Sequence, residues 1–154
     1  MMTPHVLIQL SAAFIGGIGF ALSMKIKGNQ VFWAGCGAFL SWIVYLVAYS
    51  NIESYFFSNF IASVFVAIYA ECMARINKTP TTIFLMASAI PLIPGRNLYF
   101  LMLGIVTGDN SMAYINGVTA GVIALAISLG FVLIAVLNRY VSRMQKFYMR
   151  KKHM

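Results

Sequence analysis

Charge is what this sequence has least of. Only 9% of its 154 residues are charged and only three are acidic, against roughly a quarter charged in soluble domains. That scarcity excludes a water-soluble domain of this size. Histidine is equally scarce: His5 and His153 lie at the two ends. No Ser/His/Asp arrangement or His-based metal centre can be assembled from them, so neither an enzyme nor a metal or other cofactor is expected. Cysteine is limited to Cys36 and Cys72, in different apolar segments. They have no disulfide or Cys/His metal spacing, and they read as small buried apolar side chains.

What fills the chain instead is apolar surface, 61% of all residues. The reading is an all-α, polytopic integral membrane protein, a single transmembrane domain over 1–154 with five transmembrane helices. The spans are expected at about 6–24, 31–50, 55–74, 80–107 and 114–137, followed by a basic tail, 138–154. No Lys or Arg precedes the first span, and no A-x-A pattern follows it. It is therefore expected to remain as a span and not to be removed as a signal peptide. Small residues cluster in it (Gly16, Gly17, Gly19, Ala21), in the second span (Ala34, Gly35, Gly37, Ala38) and, at GxxxG spacing, in the fifth (Gly117, Gly121). Such faces suit close helix contact, so an oligomer is expected.

The net charge of +8 does not point to nucleic acid, because the basic residues flank the apolar segments or crowd the tail. Lys25 and Lys27 follow span 1, Arg75 and Lys78 follow span 3, and Arg139, Arg143, Lys146, Arg150, Lys151 and Lys152 fill the tail. The connections after spans 2 and 4 hold Glu53 and Asp109 and no base. The positive-inside rule then predicts the cell membrane, with the N-terminus outside and the C-terminus cytoplasmic. Tyr140, Met144, Phe147 and Tyr148 among the tail's bases fit either an amphipathic helix on the inner lipid surface or a solvated stop-transfer end.

The fourth span is the unusual one. As a straight helix its residues would extend about 42 Å, against a hydrocarbon core of about 30 Å. At its middle stands Ile90-Pro91-Leu92-Ile93-Pro94-Gly95-Arg96-Asn97-Leu98-Tyr99. Two prolines each remove a backbone donor, and Gly95 offers freedom to turn. The span is predicted to be broken at this P-x-x-P-G motif, which is tolerated only where protein or a water-filled cavity satisfies the freed groups. The N-terminus of the second half-helix, with Arg96 and Asn97, suits a carboxylate. Alternatively Arg96 caps freed carbonyls or snorkels outward. Tyr99 either points its hydroxyl at the break or packs as an ordinary aromatic. Glu71, the only acid inside a predicted span, is a candidate for proton coupling or the partner of Arg75 in an i, i+4 pair. Asn59 and Ser63, one turn apart, either line a path or bond to a neighbouring helix.

The run Pro80…Ile90-Pro91-Leu92-Ile93-Pro94-Gly95…Tyr99, preceded by Glu71…Ala74-Arg75, resembles the threonine/serine exporter family, as does Gly19-Phe20-Ala21 with the small-residue patch of span 2. More closely, it resembles the small membrane subunit that forms the second half of such exporters. Pro91, Pro94, Gly95 and Tyr99 match the family's pattern; Arg96 and Asn97 lie outside it. The resemblance implies export of small amino acids, or of a dicarboxylate such as succinate, driven by the proton motive force. It also implies a longer partner subunit carrying a cytoplasmic region before five spans. The competing expectation is a non-transporting subunit that assembles or stabilises a partner.

Overall fold

A computed structural model describes residues 4–26 and 28–152, with side chains described as far as Tyr140. Lys27, His153 and the tail side chains from Arg143 onward, which entered the charge count and the amphipathic reading, lie outside the described side chains. The helices are α1 (Pro4–Ser23), α2 (Gln30–Ile52), α3 (Tyr55–Asn77), α4 (Thr81–Ala89), α5 (Gly95–Thr107) and α6 (Asn110–Lys152), with a 3-10 turn at Ile90–Leu92. No strand occurs among the described residues.

The first three helices have 20, 23 and 23 residues. At 1.5 Å per residue they are about 30–35 Å long, which matches the hydrocarbon thickness. Four helices are long and apolar enough to cross a membrane: α1, α2, α3 and the Asn110–Tyr140 part of α6. The segments Thr81–Leu92 and Gly95–Thr107 pass that test only together, bent by 56°, which gives a fifth span if the pair is one. Beyond Tyr140 the helix continues without a break to Lys152, so the tail prolongs α6 as one rod.

The helix ends have local causes. Lys25, Glu53 and Lys78 adopt the left-handed conformation at the ends of α1, α2 and α3, a position glycine usually takes. There the Glu53 N–H donates to the Tyr49 carbonyl at 3.0 Å, and the Thr79 N–H to the Ala74 carbonyl at 3.0 Å. Gly108 ends α5 with φ 75°. Asp109 then accepts the Met112 N–H on Oδ1 at 3.0 Å, so it caps the free donors at the start of α6.

α2 packs on α1, α3 and α4, while α6 lies against α3 and α5. The core is built from small side chains. Ala34, Ala38, Ala62, Ala70 and Ala87 are fully buried, and Phe84 and Val66 are the only large side chains as deeply enclosed among the described residues. With lipid outside, no solvent drives apolar helices together, and close backbone approach takes over. Ile26, Ala34, Ala74 and Phe84 belong to one cluster, so the α1–α2 and α3–α4 connections share one end of the bundle. Glu71, Thr81 and the Phe131–Ala135 stretch of α6 border one cavity, which brings the tail-bearing end of α6 to that same end. The three basic segments therefore gather together.

Three expectations change. Cys72 is exposed and Cys36 half-buried; an apolar thiol loses nothing by facing lipid. The small face of α1 divides, Gly17 meeting Ala38 while Gly16 and Gly19 face open space. Of the GxxxG pair, Gly117 packs on Leu101 of its own chain and only Gly121 is open.

At Gly37 an added β-carbon would collide with Ser88 Oγ and lie 2.6 Å from the Tyr69 ring, and at Gly130 it would collide with Ser63 Oγ. Gly37→Ala should lower stability by about 1–3 kcal/mol, while Gly16→Ala, with nothing near it, should leave stability unchanged. Thermal unfolding of the two variants in detergent checks the difference.

Candidate functional site: the break between α4 and α5

Proline chemistry sets the geometry of the break. Pro91 sits in the first turn of the 3-10 helix, which follows directly on α4, so it offers no N–H to the carbonyls of the turn before it. The Ile93 N–H returns to the Ile90 carbonyl at 3.2 Å. Ile93 is then extended (φ −62°, ψ 129°), because a residue before proline is pushed out of the helical region. Pro94 follows at φ −75°, ψ 55°, and the Gly95 N–H donates to the Ile93 carbonyl at 2.7 Å. The change of direction is thus made by Ile93 and Pro94. Gly95 is not among the positive-φ residues; it simply begins α5, with open space where a β-carbon would stand.

One freed carbonyl is satisfied by a residue the sequence reading missed. Ser41 of α2, fully buried, donates its hydroxyl to the Ser88 carbonyl at 2.8 Å, with its own Ala38 carbonyl also at 2.8 Å. Its only sequence signal was a lone hydroxyl in an apolar run, one turn after Gly37. The Ser88 hydroxyl is itself buried without a partner among the described residues. Arg96 makes no hydrogen bond to a described residue. It is exposed, and its guanidinium carbon lies 5.6 Å from the centre of the Phe100 ring. Among the described residues the backbone N–H groups of Arg96 and Asn97 meet no backbone carbonyl, whereas those of Gly95 and Leu98 are taken, the latter by the Pro94 carbonyl at 3.0 Å. Two donors and a permanent cation therefore stand together, uncommitted, at the start of α5.

The other predicted residues separate. Tyr99 is exposed beside Phe100, the rings 5.4 Å apart and edge to face. Asn97 is half-buried. Pro94 alone of the predicted set lines the open groove of about 600 Å³ between α5 and α6, with Leu98 and Leu101 facing Gly117, Gly121 and Ser128. Glu71 is elsewhere: it borders a second cavity of about 240 Å³ between α3, α4 and α6, and its carboxylate is 3.8 Å from the Arg75 guanidinium. Phe131 lines both cavities. Asn59 bonds to the Tyr55 carbonyl of its own helix at 2.7 Å. Ser63 bonds to the Phe60 carbonyl at 2.8 Å and reaches the Ala126 carbonyl of α6 at 3.5 Å. No group of residues that could hold a metal ion occurs among the described residues.

Removing the Ser41 hydroxyl leaves the Ser88 carbonyl without that donor. Ser41→Ala should cost about 0.5–2 kcal/mol, and Ser41→Thr should retain more of the stability than Ser41→Ala. Denaturant titration in mixed micelles measures both.

No curated protein and no solved structure matches the chain. The family described as Threonine/Serine exporter, ThrE, matches residues 9–137. That range takes in most of α1, all of α2 to α5 with the break between them, and the apolar part of α6. Together with four or five apolar helices of spanning length, the match makes this chain a multi-pass membrane protein that belongs to the threonine/serine exporter family.

Proposed function

We propose that this chain is the membrane subunit of a secondary exporter of small amino acids of the threonine/serine type or of small carboxylates, driven by the proton motive force. It crosses the cell membrane five times, with α4, the 3-10 turn and α5 forming one broken span. Its N-terminus is outside and its C-terminus cytoplasmic. It works as an oligomer with a longer subunit that carries a cytoplasmic region and five further spans. The orientation is supported by the basic connections that share one end of the bundle, since that end belongs in the cytoplasm.

The observation that carries the reading is the exposed start of α5. A bare scaffold has no use for free N–H groups and an arginine at the middle of an apolar bundle, where unsatisfied polar groups are costly. In the proposed mechanism, Pro91 and Pro94 hold the helix open and Gly95 leaves room in front of its N-terminus. The Arg96 and Asn97 N–H groups and the Arg96 side chain bind the substrate carboxylate, and Tyr99, a turn further along α5, belongs to the substrate path in this scheme. Electrostatics ranks these contributions. A carboxylate leaving water needs several kcal/mol of compensation. The helix dipole supplies only about 0.3–2 kcal/mol, so the full charge of Arg96 is required. Arg96 is free to provide it, because its present contact with Phe100 is an exposed one worth about 0.5–1 kcal/mol. Glu71 is the proton-coupling residue in this scheme.

Efflux from preloaded cells carrying both subunits tests the site. Arg96→Gln should impair export at equal membrane abundance, and so should Gly95→Leu, whose β-carbon meets nothing of this chain while its side chain fills the space before the free donors. Unchanged export by Arg96→Gln would remove Arg96 from the site and favour the assembly-only reading. For orientation, an impermeant thiol reagent applied to sealed cells should label a cysteine placed at Asp109 and spare one placed at Lys25, judged against a background variant lacking Cys36 and Cys72. The opposite pattern would overturn the topology.

A further inference from the structure

Glu71 is the only acid within the apolar part of the chain, and its surroundings are those of a ligand site. It borders the cavity of about 240 Å³ between α3, α4 and α6, together with Thr81, Leu85, Phe131 and Val132. Its side chain is 31% exposed. Arg75 is its one charged neighbour, and the 3.8 Å separation is well beyond a charge-assisted hydrogen bond of about 2.7–2.9 Å. Arg75 is itself 63% exposed, so the pair is a loose surface contact of small worth. No other side chain bonds to the carboxylate among the described residues. Thr81 is the one other polar residue on the wall, and its hydroxyl makes no hydrogen bond among the described residues.

We propose that this cavity is a binding site for a primary ammonium group, held by the Glu71 carboxylate with Thr81 beside it. A carboxylate at the mouth of a small apolar chamber attracts a compact cation and repels a dianion. Of the two substrate classes open to the exporter, it selects amino acids over dicarboxylates. The cavity lies at the end of the bundle where the basic segments gather, and Phe131 alone is shared with the groove beside the break. A substrate held at Glu71 is therefore one aromatic ring away from that groove. An ammonium ion and a proton cannot both occupy the same carboxylate, so the two exclude each other there. The choice of ligand rests on the exporter reading above, but its test does not depend on transport.

The test is ligand-induced stabilisation of the purified full chain, since whatever binds the folded state raises its melting temperature. The probes are threoninol, which has the ammonium group and no carboxylate, and succinate, which has two carboxylates and no ammonium. Threoninol should raise the melting temperature of the natural chain and of Arg96→Gln alike, and should have no effect on Glu71→Gln. Glu71→Asp, which keeps the charge, should retain part of the shift. Arg75→Gln should bind threoninol about two- to fivefold more tightly by releasing the competing cation. No effect of Glu71→Gln on any succinate shift is expected. A natural chain that ignores threoninol, a shift that persists in Glu71→Gln, or a succinate shift that depends on Glu71 overturns the assignment. Failure of the exporter reading would instead appear as unchanged export by Arg96→Gln with the threoninol shift intact.

Discussion

In hydrocarbon, every backbone N–H and C=O has to find its partner within the protein. α1, α2, α3 and the apolar part of α6 meet that constraint by themselves. The chain between Ala89 and Gly95 cannot, because two of its residues are prolines. Much of the surrounding architecture answers that one shortage. The 3-10 turn recovers the Ile93 N–H, the tight return at Gly95 recovers another, and Ser41 supplies a donor to the Ser88 carbonyl. For Ser41 to reach, α2 and α4 have to touch. They touch because Gly37 has no side chain where Ser88 and Tyr69 press in. The small-residue patch of α2 thus serves the break as well as the general packing of the bundle.

Much of this was legible in the chain itself. Long apolar runs fix where helices lie, and the prolines fix where one of them has to stop, because both effects are local. What stayed hidden is how each helix is rotated about its axis. Helices that are apolar all round carry no polar face to orient them, so Ser41 gave no hint that it faces Ser88. Gly117 likewise gave none that it serves Leu101 of its own chain while Gly121 stays open. Gly95 illustrates a different limit. Glycine after proline suggests a left-handed turn, yet the bend was already complete one residue earlier, through the pre-proline preference of Ile93 and the fixed φ of Pro94. The break after Ala89 was legible in the prolines, but the residues named around it, Pro91–Tyr99, do not converge. Pro94 faces the groove while Arg96 and Tyr99 lie on other sides of α5, as the helical advance of about 100° per residue requires.

The two charges within the apolar part of the chain are kept apart in kind as well as in place. Arg96 opens outward at the break, beside an aromatic ring. Glu71 opens into a chamber near the end of the bundle, beside a loosely held arginine. Neither is neutralised by a tight ion pair within the described residues, although such pairing is the usual fate of charge in an apolar setting.

α6 has 43 residues without a break, a rod of about 65 Å. Gly117 and Gly121 on it wall the groove beside the break, Val132 and Ala135 wall the Glu71 chamber, and Phe131 stands between. A continuous helix shifts, tilts or rotates as one body. Any displacement of α6 therefore reshapes both spaces at once, and rotation about its axis carries the Phe131 ring away from one and toward the other. The volumes of the two chambers are geometrically linked variables, with α6 as the shared wall.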